Sequence, residues 1–401
     1  MILPTVPLGE LCEINIGRTP SRSERSYWGK GFPWLSIADM NQGPRLVDTK
    51  EQITPLAAKS IGKPVTPGTV ALSFKLSIGK VGVIQQPMYT NEAIATLPIR
   101  DNKKILPNYL AWTLRTIDLL TESDNAAMGK TLNKAKLARL QIPVPDLTTQ
   151  RRITDVLDRV DELREKRRKS IALLDDLTQS IFLDMFGTAN YDWPVRTVED
   201  LAAHGKNSIR TGPFGSQLLH GEFVDEGIPV LGIDNAVDNE FKWGRPRYIT
   251  DQKYRKLSRY TVLPGDVLIT IMGTCGRCAV VPDNIPTAIN TKHLCCITLD
   301  RKRCLPEYLH SYFLRHPTAQ NYLQQTAKGA IMAGLNMGII KSLPVSIPPL
   351  ELQERYSQQI QHIRHSKAVS ERHLESLNAL FASIQSRAFR GELWQDDLKD
   401  L

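Results

Sequence analysis

A heptad stripe runs through the middle of the chain. Steps of four and three residues link Ile153, Leu157, Val160, Arg164, Arg167, Ile171, Leu174, Thr178, Ile181 and Met185. Adding 203 to each gives Tyr356, Ile360, Ile363, Lys367, Ser370, Leu374, Leu377, Phe381, Ile384 and Ala388. Both stripes are apolar towards their ends and polar at the same two central places. Because 203 is a multiple of seven, the heptad phase is preserved. Such a pattern predicts a coiled-coil seam. "EKRRK" (Glu165–Lys169) adds charge around the waist of the first rod. A helix that polar needs a partner helix, or solvent on most of its sides. The second stripe supplies that partner. The simplest assembly has the rods antiparallel, with a globule at each end and a pseudo-two-fold axis through the polar waist. The alternative is two surface helices, each lying on its own globule.

Ahead of each rod the pattern changes. "TVALSF" and "DVLITIM" are β-rich runs after a Pro-Gly turn, and each continues through a glycine into a second apolar run, as a hairpin would. "LPNYLAWTLRTIDLL" and "LPEYLHSYFLRHP" read as helices opened by proline. These segments repeat too. Pro67–Ile84 aligns with Pro264–Val281 at offset 197, and Leu106–Leu110 with Leu305–Leu309 at 199. The offset drifts upstream, where loops accept insertions, and stays constant along the rods, which accept none. The fold class expected is α+β: two tandem mixed globules and two long helices forming an antiparallel coiled coil. The divisions are a globule over 1–146, a spacer helix over 147–188, a second globule over 189–349, a second helix over 350–391, and a tail over 392–401.

The remaining composition narrows the class. With 401 residues and a net charge of +9, the chain suits two or three soluble domains and a polyanionic partner. There is no run of about 18 apolar residues, so no membrane span is expected. "MILPTVPLGELCEI" reads as no signal peptide. Six cysteines do not make a disulfide framework, which suits a reducing cytoplasm.

Architecture and short motifs together resemble the specificity (S) subunit of type I restriction–modification systems. The motifs are "PLGEL" (Pro7–Leu11), "GFPWLSIADM" (Gly31–Met40), "TGPFGSQLL" (Thr211–Leu219), and the "PDLTTQ" and "PLELQ" gates before the rods. The resemblance spans essentially the whole chain. It implies that each globule is a target-recognition domain for one half of a bipartite, asymmetric site in double-stranded DNA. It implies that the rods set the unread spacer. It also implies a non-catalytic chain without a cofactor of its own. Two methyltransferase (modification) subunits would bring S-adenosylmethionine for adenine-N6 methylation, and restriction/translocase subunits would bring ATP and Mg.

The residues agree that chemistry is missing from this chain. The sole Pro-Pro, in "SIPPLE" (Ser346–Glu351), lies at a rod gate and not in an adenine-methyltransferase loop. "GKT" (Gly129–Thr131) has Asp124 where a phosphate loop needs glycine. Cys275 and Cys278 have zinc-knuckle spacing, with Cys295 and Cys296 following, but they align with Ile78 and Val81. Small buried hydrophobes are the competing reading.

Candidates for DNA contact combine phosphate clamps with base readers. Lys80 and Arg277 each follow a hairpin glycine, with Lys75 on the same turn as Lys80. Arg18, Arg22 and Arg25 lie in "INIGRTPSRSERSYW"; Arg210, Ser216 and Gln217 lie in "NSIRTGPFGSQ". Arginine suits guanine O6/N7 and glutamine suits adenine N6/N7. Lys292 and His293 in "NTKHL", together with Lys130 and Lys328, complete the set. Each has a plainer reading as a solvated surface group. Asn133 and Asn336 read as helix N-caps. Trp34, Trp112, Trp193 and Trp243 read as core or rim anchors. Two other functions stay open: a DNA-binding scaffold of another defence or regulatory system, and a coiled-coil tether whose globules bind protein.

Overall fold

The computed structural model describes residues 3–119, 124–126, 129–187, 192–327 and 335–393. These form two compact units, Met1–Arg168 with Arg372–Leu401, and Lys169–Glu371. The long helices run over Leu147–Phe186 and Leu350–Phe389. Each unit therefore holds one globule and half of each helix, a grouping different from the sequential division into globules and rods.

In the first unit a five-stranded sheet has the order Asn15–Ile16, Ile94–Leu97, Val70–Ser73, Val81–Ile84, Arg45–Leu46, with only the last pairing parallel. A three-stranded sheet places Trp28–Leu35 between Glu51–Ile53 and Tyr89–Thr90. The second unit has two four-stranded sheets. One runs Ile209–Thr211, Leu294–Ile297, Val267–Thr270, Cys278–Val280; the other runs Tyr248–Ile249, Ile228–Leu231, Ala288–Asn290, Thr261–Val262. Val70–Ser73 and Val267–Thr270 are buried at every position, as uninterrupted apolar runs require. The Pro-opened helices Pro107–Thr116 and Pro306–Arg315 cover these strands.

A short strand precedes the gate to each long helix, and the gate itself runs into the first helical turn. Gln141–Pro143 pairs antiparallel with Thr5–Pro7, and Pro344–Ser346 pairs likewise with Val195–Thr197. Tyr109 Oη donates to Pro143 O at 3.0 Å, and its repeat-mate Tyr308 donates to Ser346 O at 2.5 Å. The first helix is opened by Asp146, which accepts the N–H groups of Thr148 and Thr149 at 2.9 and 3.0 Å. These bonds, led by that of the Thr149 hydroxyl, hold the Asp146 carboxyl below its usual range. The side-chain oxygens of Asn133 and Asn336 accept from Lys136 N and Ile339 N, which makes both residues N-caps.

The helices meet antiparallel within each unit. In the first, Ile153 and Leu157 share a core with Ala388, while Arg164 reaches Asn378 at 2.8 Å and stacks 4.2 Å from the Phe381 ring. In the second, Phe182 and Phe186 lie 5.6 and 5.4 Å from the Tyr356 ring, and Lys367 pairs with Asp175 at 2.7 Å. Ile153, Leu157, Val160, Tyr356 and Ile360 are buried. Ile171, Leu174, Ile181, Ile363, Leu374, Leu377 and Ile384 are half-buried. The helix ends are also core elements of the globules. Phe381 and Phe389 pack on Trp112 and Tyr109 at 5.5 and 5.8 Å, and Phe186 packs on Tyr308 at 5.0 Å. Full burial, as for Phe186, stabilises the fold by about 1.5–3 kcal/mol per side chain. Among the described residues, no helix is long and apolar enough to cross a membrane.

Candidate nucleic-acid interface

Both globules build the same turn from the same bonds. Ser73 Oγ donates to Ser77 O and accepts Lys80 N at 3.0 Å, while Gly79 N donates to Ser73 O at 3.0 Å. In the second globule Thr270 Oγ1 donates to Thr274 O at 2.5 Å and accepts Arg277 N at 2.9 Å, while Gly276 N donates to Thr270 O at 2.9 Å. Gly79 and Gly276 have φ of 94° and 80°, where glycine is at ease. The turn is tied to neighbouring loops in the same way each time: Phe74 N to Ala93 O at 3.0 Å, and Ile271 N to His293 O at 2.9 Å. A third segment joins through Gly17 N to Ile94 O and Gly212 N to Thr291 O, at 3.1 and 3.2 Å. A Cβ on Gly17 would lie 2.2 Å from Asn91 O, and one on Gly212 would lie 2.0 Å from Asn290 O. Close backbone approach therefore explains the glycine in both "IGR" and "RTG". Backbone bonds thus hold the turn along one rim with the segments at Gly17 and Ala93–Ile94 in the first unit, and with those at Gly212 and Thr291–His293 in the second.

The side chains on the two rims differ. In the first unit Arg18 and Arg25 are exposed. Arg22 is engaged: both arms of its guanidinium meet Glu51, at 2.5 and 2.9 Å, and it lies 3.8 Å from the Trp28 ring. The hydrogen bond raises the Arg22 pKa and lowers that of Glu51. Trp28 in turn stands edge-on to Trp34 at 5.0 Å, so Arg22 braces the loop over the three-stranded sheet. Lys75 is half-buried, with its Nζ 5.3 Å from the Phe74 ring. Lys80 Nζ donates to Ile37 O at 3.1 Å, so this cation ties the turn to the next loop. Its repeat-mate Arg277 is exposed. The backbones of this pair are alike and their side chains are not.

In the second unit Arg210 departs from its expected place. It is 7% exposed and sits inside the sheet, paired with Asp266 at 2.5 Å and donating to Thr298 Oγ1 at 2.9 Å, Thr261 O at 2.5 Å and Asn207 O at 3.1 Å. A guanidinium so occupied has no fork left for guanine, so this residue is structural rather than a base reader. Ser216 and Gln217 are exposed on a single turn, Gly215–Gln217. Gln217 Oε1 accepts from Tyr260 Oη at 2.8 Å. Lys292 and His293 are half-buried beside Arg247. Partial burial first, then the charges of Lys292 and Arg247, hold the His293 pKa below its ordinary value, so the imidazole is neutral at pH 7. Lys328 and the side chain of Lys130 lie outside the described residues.

One cluster on this rim was not anticipated. In "KWGRPR" (Lys242–Arg247), Arg247 pairs with Asp234, and Arg245 N donates to Asp234 Oδ2 at 2.7 Å. Burial opposes ionisation of Asp234, yet hydrogen bonds from Arg247 and Arg245 N hold its carboxyl below the usual range. Trp243 is 58% exposed against Phe241. The available signal was a basic run interleaved with an aromatic residue. Of the cysteines, Cys278 is buried on one strand flanking Val267–Thr270 and Cys295 and Cys296 on the other, and burial pushes the Cys295 thiol up to about 12.

The chain is 23% identical over 352 residues to the type I restriction enzyme EcoBI specificity subunit of Escherichia coli, covering 79% of this chain and 72% of that protein. It is 26% identical over 183 residues to the MjaIX specificity subunit of Methanocaldococcus jannaschii, covering 44% of this chain and only 42% of that relative. The S subunit of a type I restriction–modification system from M. genitalium shares the fold at a TM-score of 0.61 and 12% identity, over 96% of this chain and 95% of that one. A model of the type I restriction modification DNA specificity domain matches residues 4–173 and 190–377, most of the sequence, and the chain belongs to that family.

Proposed function

We propose that the chain is a non-catalytic subunit that reads a bipartite, asymmetric site in double-stranded DNA, one half-site per globule. In this reading it recruits two methyltransferase subunits, which bring S-adenosylmethionine for adenine-N6 methylation. Restriction/translocase subunits add ATP and Mg. Its relatives are named as type I specificity subunits, which supports the reading.

The observation that carries it is the repeated rim. Two globules of one DNA specificity family present the same Ser/Thr-latched turn ending in a cation, Lys80 or Arg277. The backbone frame is shared, so both can approach a groove alike. The side chains differ, so the two half-sites differ in sequence. Base readout depends on side-chain donors and acceptors, while cations near backbone turns position the protein on phosphates. The coiled coil sets the spacer, since a 40-residue helix spans about 60 Å at 1.5 Å per residue.

The test is co-expression with a type I methyltransferase subunit, followed by genome-wide mapping of methylated adenine. A bipartite motif with a constant spacer is the expected result. A stable complex that leaves DNA unmethylated and binds no preferred duplex overturns the reading.

A further inference from the structure

Among the described residues, three other than glycine have positive φ: Leu76 (65°), Asn207 and Asn239. Asparagine tolerates this region, whereas a branched apolar side chain is strained in it. Leu76 occupies the tip of the first globule's latched turn, and its side chain is 65% exposed. It therefore carries backbone strain without gaining burial. The second globule shows the unstrained solution at the same place. Its repeat-mate is Gly273, with φ of 71°, where a Cβ would lie 3.0 Å from Ile233 Cδ1. That turn instead exposes an apolar side chain one position earlier, at Met272 (42% exposed), which aligns with Lys75. Both tips thus present one large apolar side chain to solvent.

We infer that Leu76 is a specificity-determining residue that packs against the 5-methyl group of a thymine in the half-site read by the first globule. This rests on the DNA-reading function proposed above. The major groove admits an element as wide as a two-stranded ribbon, so it admits this turn where it projects beyond the five-stranded sheet, and apolar side chains recognise thymine there through its methyl group. Lys75 stands next to Leu76 in the turn, and its charge suits a flanking phosphate. The strain at Leu76 is of the kind that persists where function holds a residue in place.

The test uses the full chain in complex with its methyltransferase subunit, after the recognised site has been mapped. Leu76→Gly copies the second globule and should keep the melting temperature. Each thymine of the half-site is then replaced in turn by deoxyuridine, which removes only the methyl. The expected result is one position where deoxyuridine weakens wild-type binding about fourfold, the effect of one methyl group, and leaves L76G binding unchanged. A half-site without thymine, or the same deoxyuridine profile for both proteins, overturns the inference and leaves DNA reading intact. A wild-type complex with no sequence preference overturns both.

Discussion

The side-chain oxygen of Gln150 accepts the backbone N–H of Leu106 at 2.9 Å, and its amide donates to Lys104 O and Pro145 O, each at 2.8 Å. Gln353 repeats this in the second unit, accepting Leu305 N and donating to Arg303 O and Pro348 O. Both glutamines are fully buried. Each joins the start of a long helix to the start of the Pro-opened helix on its globule. Gln150→Leu keeps the bulk and leaves one N–H and two carbonyls without that partner. The expected loss is about 2–4 kcal/mol, read from the denaturant midpoint. A loss below about 0.5 kcal/mol, the range of an inconsequential surface change, would show that the glutamine does not join the two helices.

Arg210 and Asp266 yield a second expectation. Asp266 also accepts Leu263 N at 2.9 Å and Thr298 Oγ1 at 2.6 Å, so the pair is the centre of a buried network. Removing one partner of a buried pair strands the other charge and costs about 3–5 kcal/mol. The first globule has Asn15 and Thr69 at these positions. Arg210→Asn should therefore destabilise severely, and adding Asp266→Thr should recover part of the loss. Measured by denaturation, a double variant worse than the single one would contradict this account.

His310 makes stability depend on pH. Its Nε2 faces two carbonyls, Asn239 O at 2.9 Å and Cys278 O at 3.1 Å, and so carries the proton of a neutral ring. Burial, then repulsion from Arg364, depresses its pKa from 6.5 to about 3. The unfolded chain takes up the proton first, so this contribution is complete above the unfolded value and fades as pH falls towards the folded one. Between pH 7.5 and 5.0 the wild type should lose about 2 kcal/mol more than His310→Gln. Parallel stability curves for the two proteins would contradict the assignment.

Residues whose partners are close in sequence were legible before the structure. The heptad stripe is local periodicity, and the N-cap bonds of Asn133 and Asn336 reach only three residues ahead. Gln150 was visible as one half of a repeat but not as a latch, since Leu106 lies 44 residues away. Arg210 in a Gly- and Ser-rich stretch looks like a reader until Asp266, 56 residues on, meets it inside the sheet. Phe182 and Phe389 stand off the heptad stripe. Their neighbours show why: the helix ends complete globule cores as well as a seam.

The last expectation concerns the coiled coil as a spacer. The two compact units divide at Arg168/Lys169 in the first helix and at Glu371/Arg372 in the second, beside the polar waist of the seam. One heptad inserted at both places keeps every seam residue on its stripe and lengthens each helix by about 10 Å. That corresponds to about three base pairs at 3.4 Å each. Methylation mapping should return the same two half-sites with a spacer about three base pairs longer. Three base pairs also turn the duplex by about 100°, given about 10.5 per turn. The lengthened protein therefore meets a groove on a rotated face, and the fraction of sites methylated should fall while the motif stays clear. Inserting four residues at each place breaks the heptad phase, and the expected result is a destabilised chain rather than a new spacer. An unchanged spacer in the heptad variant would mean that something other than the helices sets the distance between half-sites.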